Sequence, residues 1–371
     1  RVSSTTSGDG FSKLLANEIE IGMASRRINP DEARALRGNG AGNMISPSQE
    51  HIVAIDSLIL ITNPANPVKS LTTEQVRQIY AGQITNWSEV GGADLAITVV
   101  SLPDGSGTKS VFEDRIFGSA RPTLVDGKVT VDTNEKASDF VTENEGALAY
   151  VSYAFQRGAH ALSLVNECGI AMVPDAFSAR TEEYALQRRL YMYSREDTLS
   201  DGSRAFLEFA SSPDADSLIG KAGFIGFAVD RRPQPLDGAR ARALLDPNAG
   251  RYEAVYMHKM LGHMLDYDRL STTFRFRSGS SRLDARGSID KARLLQFLAG
   301  QPEGTEVLLV GFTDTVGPFD SNLNLSSQRA QLVANEIIAA AGDQQTNFSI
   351  NSVGYGELAP TACNETDEGR R

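Results

Sequence analysis

Asp104-Gly105-Ser106-Gly107-Thr108 follows an apolar run over 96–101 and precedes a helix-forming stretch. A strand, a glycine turn and a helix in that order form one unit of an α/β layer. The first N–H groups of a helix have no internal partners and carry the positive end of its dipole. A turn at that point is therefore suited to hold an anion. The glycines let backbone approach a ligand closely, and Ser106 and Thr108 add hydroxyl donors. Ser-Gly-Thr after a strand is also common turn chemistry, so the surrounding sequence has to decide.

Outward from this turn the alternation continues. Periodicity predicts a helix over 11–18, a strand over 19–24, and either a strand pair or one bent strand over 52–62. A helix is expected over 72–81, with Ser70 and Thr72 as caps and Glu74 in its first turn. Further strands are expected at 146–152, 190–193 and 224–229, and a helix at 203–210. Thr6-Ser7-Gly8-Asp9-Gly10-Phe11 is a second glycine and serine turn leading into a helix, and Ser25-Arg26 closes the next strand. Residues 11–229 thus read as α/β layers.

The stretch 230–247 contains Arg231-Arg232-Pro233-Gln234-Pro235 and reads as a linker stiffened by proline. Val255, Met257, Met260, Leu261, Met264 and Leu265 fit an amphipathic helix over 252–270, its Met-rich stripe reading as packing surface. A strand at 272–277, a helix at 289–298, a strand at 306–311, a helix at 325–341 and a strand at 348–355 complete a β-α-β-α-β order.

A length of 371 residues accommodates two or three domains. The formal charge of −11 argues against nucleic acid or anionic membrane as a general partner. A bound anion must then be caught by local donors against the overall field. Two cysteines exclude a disulfide framework; Cys168 and Cys363 read as unpaired, partly buried thiols, with a bridge between them as the alternative. His258 and His263 are five apart, which does not stack them as an i, i+4 metal pair, and His51 and His160 are isolated. No metal site, cofactor or nucleophile–base pair is expected, so the reading is a binding protein and not an enzyme. The start at Arg1-Val2-Ser3-Ser4, with no initiator Met, reads as a processed or trimmed piece of a longer chain.

Several segments agree in order: Ile21-Gly22-Met23-Ala24-Ser25-Arg26, Glu50-His51-Ile52-Val53-Ala54-Ile55-Asp56, Asn63-Pro64-Ala65-Asn66-Pro67-Val68, Ile84-Thr85-Asn86-Trp87-Ser88-Glu89-Val90-Gly91-Gly92, Gly146-Ala147-Leu148-Ala149-Tyr150-Val151-Ser152 and Tyr184-Ala185-Leu186-Gln187-Arg188-Arg189-Leu190-Tyr191. Together with the two turns they resemble the phosphate-binding, PstS-type substrate-binding proteins of ABC importers. The resemblance covers about 1–230 and implies a two-lobed periplasmic-binding-protein (type II) fold. It assigns phosphate to Ser7, Ser25, Arg26, Asp104, Ser106, Gly107 and Thr108. Arg26 would give a charge-assisted contact, and Asp104 would accept the proton that phosphate keeps and sulfate lacks. Leu102 stands where the family often has Arg, and Gly8 where it prefers a second Ser. The family's first ligand loop has no counterpart in this sequence.

Gly311-Phe312-Thr313-Asp314, Leu325-Ser326-Ser327-Gln328-Arg329-Ala330 and Val353-Gly354-Tyr355-Gly356-Glu357 resemble an OmpA-like peptidoglycan-binding domain. That resemblance assigns Asp314 and Arg329 to the zwitterionic diaminopimelate of the peptide stem, with Thr313 and Asn322 as further contacts. Arg329 is expected one turn into its helix, on one rim with Asp314. The family continues past Gly369-Arg370-Arg371 into a last strand.

The expected organisation is a phosphate-binding-protein-like domain at 1–230, a linker and amphipathic helix at 231–270, and an OmpA-like domain at 271–371. The expected function is a Gram-negative periplasmic phosphate receptor tethered to peptidoglycan, serving an ABC permease or storage. The alternative is a wall-associated structural or sensing module whose first half no longer binds phosphate, which Leu102 favours.

Overall fold

The computed structural model describes residues 6–104, 106–118, 124–234, 238, 241–242, 244–245, 250–276, 283, 285–342 and 348–358. Gly105 and Cys363 lie outside them. The chain forms two units, Arg1–Val165 with Met172–Ala228, and Asn166–Ala171 with Val229–Arg371.

In chain order the first strands are β1 (Ile21–Ala24), β2 (Glu50–Thr62), β3 (Ser70–Thr72), β4 (Thr98–Ser101), β5 (Val129–Thr130), β6 (Ala147–Ser152), β7 (His160–Val165), β8 (Ala171–Met172) and β9 (Gln187–Ser194). The helices are α1 (Ser7–Leu15), α2 (Pro30–Gly38), α3 (Thr73–Tyr80), α4 (Gly107–Phe117), α5 (Asn134–Glu143), α6 (Ala176–Arg180), α7 (Asp201–Ser211) and α8 (Asp216–Lys221). The sheet runs β1-β9-β2-β6-β4-β5, and β7 pairs with both β2 and β3.

β2 joins the two halves of this sheet. Glu50 to Ser57 pair antiparallel with β9, and Leu58 to Thr62 pair antiparallel with β6. The 52–62 stretch is therefore one strand, with a register irregularity between Ile52 and Ala54. A strand covered on both faces reads as an unbroken apolar run, and Leu58-Ile59-Leu60-Ile61 is fully buried. These residues share a core with Trp87, Phe112 and Tyr150. Phe112 and Tyr150 stack with ring centroids 3.9 Å apart, which fixes α4 over β6.

Local chemistry sets the helix boundaries. α1 starts at Ser7, earlier than periodicity suggests, because Thr6 and Asp9 form a capping box. Thr72 and Gln75 do the same for α3. α2 was not legible as a helix, yet Asn29 and Glu32 cap it and Pro30 occupies its first turn. The strand expected at 224–229 is absent; Ile225 makes only a single bridge to Ile55.

The second unit holds β10 (Arg231–Arg232), α9 (Arg251–Asp266), β11 (Arg269–Leu270), α10 (Ala285–Ala299), β12 (Thr305–Gly311), α11 (Phe319–Ala341) and β13 (Phe348–Gly354). Arg231–Arg232 pair antiparallel with Arg269–Leu270, so α9 stops at Asp266 and does not run to 270. The expected strand at 272–277 is reduced, among the described residues, to a bridge between Phe276 and Leu283. β12 and β13 are parallel, in register from Thr305↔Phe348 to Gly311↔Gly354. Met257, Met260 and Met264 pack with Tyr355 and Leu358. Leu294, Leu298, Val307, Val333, Ile337 and Phe348 form a second cluster. Cys168 is disulfide-bonded, against the reading of two free thiols; Cys363 is the other cysteine of the chain.

Two glycines let α11 lie directly on the strand ends. A Cβ on Gly311 would fall 2.1 Å from the Ser326 carbonyl oxygen, and one on Gly354 would fall 2.2 Å from the Ser327 nitrogen. Both obstacles are helix backbone, which cannot swing aside as a side chain would. Gly354→Ala is therefore expected to destabilise the second unit by about 1–3 kcal/mol through overpacking. Urea unfolding followed by circular dichroism checks this; an unchanged midpoint would mean that α11 is not seated as described.

Candidate functional site

Close backbone approach builds the first part of the site. A Cβ on Gly22 of β1 would lie 2.6 Å from Leu14 Cδ1, and one on Gly10 of α1 would lie 3.2 Å from the Met23 carbonyl oxygen. With no Cβ at either place, α1 rests on β1 and its first residue meets the strand's end. The Ser25 N–H donates to Ser7 Oγ at 3.1 Å, and the two hydroxyls are 3.5 Å apart. Ser7 thus uses an oxygen lone pair to hold Ser25.

α4 starts in the same manner. Ser106 is its N-cap, accepting from the Lys109 N–H at 3.3 Å. As the cap employs the oxygen lone pair, the Ser106 O–H proton can still be donated elsewhere. A Cβ on Gly107 would meet nothing within 4 Å, so the first turn of α4 borders open space. Thr108 is buried one residue further on.

The two charged residues expected in the clamp are engaged elsewhere. Arg26 donates from Nη1 and Nη2 to the two Glu32 oxygens at 2.8 and 2.7 Å. Those bonds hold the Glu32 carboxyl below its usual range and raise the Arg26 guanidinium. Arg27 is paired with the buried Glu50 at 2.7 and 2.8 Å. The Asp104 side chain is 98% exposed and accepts from Lys109 Nζ at 2.5 Å. That hydrogen bond lowers the Asp104 carboxyl and raises the Lys109 ammonium. An exposed carboxylate tied to a lysine is poorly placed to be a buried proton acceptor.

The structure adds residues that the motif reading passed over. Asp56 lies on β2 at its passage from β9 to β6 and is 2% exposed. Its Oδ2 accepts from Arg188 Nε at 2.9 Å and Nη2 at 2.7 Å, and its Oδ1 accepts from Ser152 Oγ at 2.6 Å. Arg188 Nη1 reaches on to the Gly107 carbonyl oxygen at 3.4 Å, a long contact that brings the guanidinium to the start of α4. On β9, Arg188 is three residues from Tyr191, the partner of Ala24. Three strand residues span roughly 10 Å, so Ser25 and the Asp56 pair flank one region. A signal was present in the sequence: an aspartate interrupting Ile52-Val53-Ala54-Ile55 and Leu58-Ile59-Leu60-Ile61 is a charge in a buried strand, which requires a partner.

The second unit gathers its expected residues in part. The Thr313 N–H donates to the Gly356 carbonyl oxygen at 2.8 Å. Asp314 Oδ1 accepts from the Val316 N–H at 3.0 Å, an Asx turn that shapes the loop after β12. The buried Asn322 donates to the Asp314 carbonyl oxygen at 3.2 Å and also to the Glu357 carboxylate. Asn322 therefore braces the loop, and Glu357 joins the cluster. Arg329 lies in the third turn of α11 and not the first, because the helix begins ten residues earlier, at Phe319. Its guanidinium carbon sits 5.3 Å from the centre of the Phe276 ring. Seven helical residues separate it from Asn322, which puts both near one face about 10 Å apart. Among the described residues no ion pair joins Arg329 to Asp314.

With this geometry in view, comparison with known proteins is informative. Residues 1–214 match the family model for the PBP superfamily domain, and residues 275–371 match that of the OmpA family. The phosphate-binding protein PstS of Bacillus subtilis is 26% identical over 221 residues, covering 59% of this chain and 68% of that protein. PstS of Staphylococcus epidermidis is 27% identical over 227 residues, covering 59% and 67%. Among solved structures, an ABC-type phosphate transport receptor from Vibrio cholerae is 29% identical with a TM-score of 0.49, covering 59% of this chain and 84% of the receptor.

Removing Asp56 would leave the Arg188 cation uncompensated in a mostly buried position. Asp56→Ala is expected to destabilise the first unit by about 3–5 kcal/mol. Trp87 is the one tryptophan of the chain and is buried in that unit, so its fluorescence in a urea titration reports the loss directly. A shift below 1 kcal/mol would show that the pair contributes little to the fold.

Proposed function

We propose, for a chain that belongs to the PBP superfamily and carries a C-terminal OmpA family domain, that it is a phosphate receptor held at the cell wall. Its partners would be inorganic phosphate, the diaminopimelate-containing stem of peptidoglycan and an ABC permease, in a Gram-negative periplasm. The observation that carries this reading is the convergence of donors in the first unit. Ser7, joined to Ser25 after β1, and Ser106 with Gly107 and Thr108 mark two helix starts, and the Asp56–Arg188 pair reaches the second of them. Unpaired helix N–H groups, hydroxyls and a guanidinium are the donor set that a tetrahedral oxyanion requires. Curated relatives bearing the name phosphate-binding protein support the choice of anion.

The carboxylate suited to discriminate phosphate from sulfate is Asp56 in place of Asp104. It is buried, and Oδ1 keeps a lone pair beyond the bond from Ser152. Sulfate, with no proton to give, would meet a bare carboxylate there and be rejected. Bound anion would draw the two halves of the sheet around it, since only the closed form collects donors from both.

A phosphate receptor fixed to the wall would hold its ligand close to the permease or retain it in a store. Leu102 and the engagement of Arg26 by Glu32 favour the second reading, a wall-bound module without phosphate affinity. Calorimetric titration separates the two. Phosphate heat without sulfate heat is expected, and no phosphate heat would remove the receptor reading. Ser25→Ala is expected to weaken phosphate at least about tenfold, the scale of one hydrogen bond to a charged group, and Arg26→Ala to weaken it less, because Glu32 holds that guanidinium. Unchanged affinity in Ser25→Ala would place the ligand elsewhere.

The wall anchor has a separate test. Asp314→Ala and Arg329→Ala are expected to abolish sedimentation with purified sacculi while leaving phosphate heats intact. Continued sedimentation of both variants would refute the anchor assignment.

A further inference from the structure

Leu102 brings no cation to the α4 turn. It follows β4, is 2% exposed and is apolar. Lys109, the cation nearest in sequence, is held between two carboxylates, Asp104 at 2.5 Å and Glu113 at 3.8 Å. Arg26 has its guanidinium on Glu32, with its side chain 43% exposed. A guanidinium does reach the turn, but from a strand 81 residues later in the chain: Arg188 contacts Gly107.

We propose that Arg188 is the cation that faces the bound anion in this protein, supplying by tertiary placement what Leu102 withholds in sequence. This rests on reading the first unit as an anion receptor. The position of the guanidinium supports the assignment first. Its contact is with Gly107, the first residue of α4, where unpaired N–H groups and open space meet.

Donor capacity supports it next. A guanidinium carries five N–H bonds. Arg188 commits Nε and one Nη2 hydrogen to a single oxygen of Asp56, and one Nη1 hydrogen to Gly107. One hydrogen on Nη1 and one on Nη2 remain for an oxyanion. The environment favours the same role, because the side chain is only 14% exposed and its attraction for an anion is weakly screened. Asp56 then also positions this cation. Its two hydrogen bonds fix the plane of the guanidinium, as the cross-strand pairing Asp56↔Arg188 requires.

Single removal of Arg188 would strand a buried carboxylate, so the decisive comparison is between Asp56→Asn and the double variant Asp56→Asn with Arg188→Gln. Both replace the buried carboxylate with an amide, and they differ in the guanidinium. Phosphate is titrated calorimetrically into the full chain, these two variants and Ser25→Ala, each first shown to be folded by Trp87 fluorescence. Wild type is expected to bind, and the double variant to bind at least tenfold more weakly than Asp56→Asn. Equal affinities for the single and double variants would overturn the Arg188 assignment. If wild type binds, Ser25→Ala weakens binding, and the single and double variants match, the receptor reading survives and Arg188 alone falls. Absence of phosphate heat in the wild type would remove the receptor reading and this assignment together.

Discussion

A carboxylate at 2% exposure has to be neutralised, and the manner in which Asp56 is neutralised organises the first unit. Three hydrogen bonds end on it, two from β9 and one from the end of β6. Those are the strands that flank β2 on either side of its passage from one half of the sheet to the other. The pair thus welds the halves where they share a strand. An apolar pair could fill the same volume at equal or lower energetic cost, so stability is a weak reason for a buried ion pair. The charge has a use beyond stability if its cation is turned toward a ligand.

Both units solve a second problem alike. A helix has to approach a strand closely enough that its end and the strand's end present groups to one place. Gly10 and Gly22 achieve this for α1 and β1, and Gly311 and Gly354 for α11 and the β12–β13 pair. In each instance a Cβ would crowd the partner element. The result in the first unit is the Ser7–Ser25 bond; in the second it is the loop cluster of Thr313, Asp314, Asn322 and Glu357.

Much of the fold could be read from the chain. The strand–turn–helix at Asp104 to Thr108 and the Met stripe of α9 both follow from local pattern, and both are found. The failures have local causes too. Residues 224–229 and 272–276 have strand composition but, among the described residues, lack a neighbouring strand over most of their length, so each is left with a bridge. α11 extends back to Phe319 because Pro318 supplies an extended N-cap, which apolar periodicity does not register. That shift moved Arg329 from the first turn to the third.

What the sequence determined by itself was the alternation of elements and the two serine-bearing helix starts. These depend on neighbours within a few residues. Which charges meet was decided by tertiary structure alone. Arg26 and Asp104 look available in sequence, yet Glu32 and Lys109 engage them. Arg188 looks incidental, yet it meets Asp56 across 132 residues. The physical reason is that an ion pair between strands depends on register, and register is settled by burying β2 on both faces, a condition that no local window of residues contains.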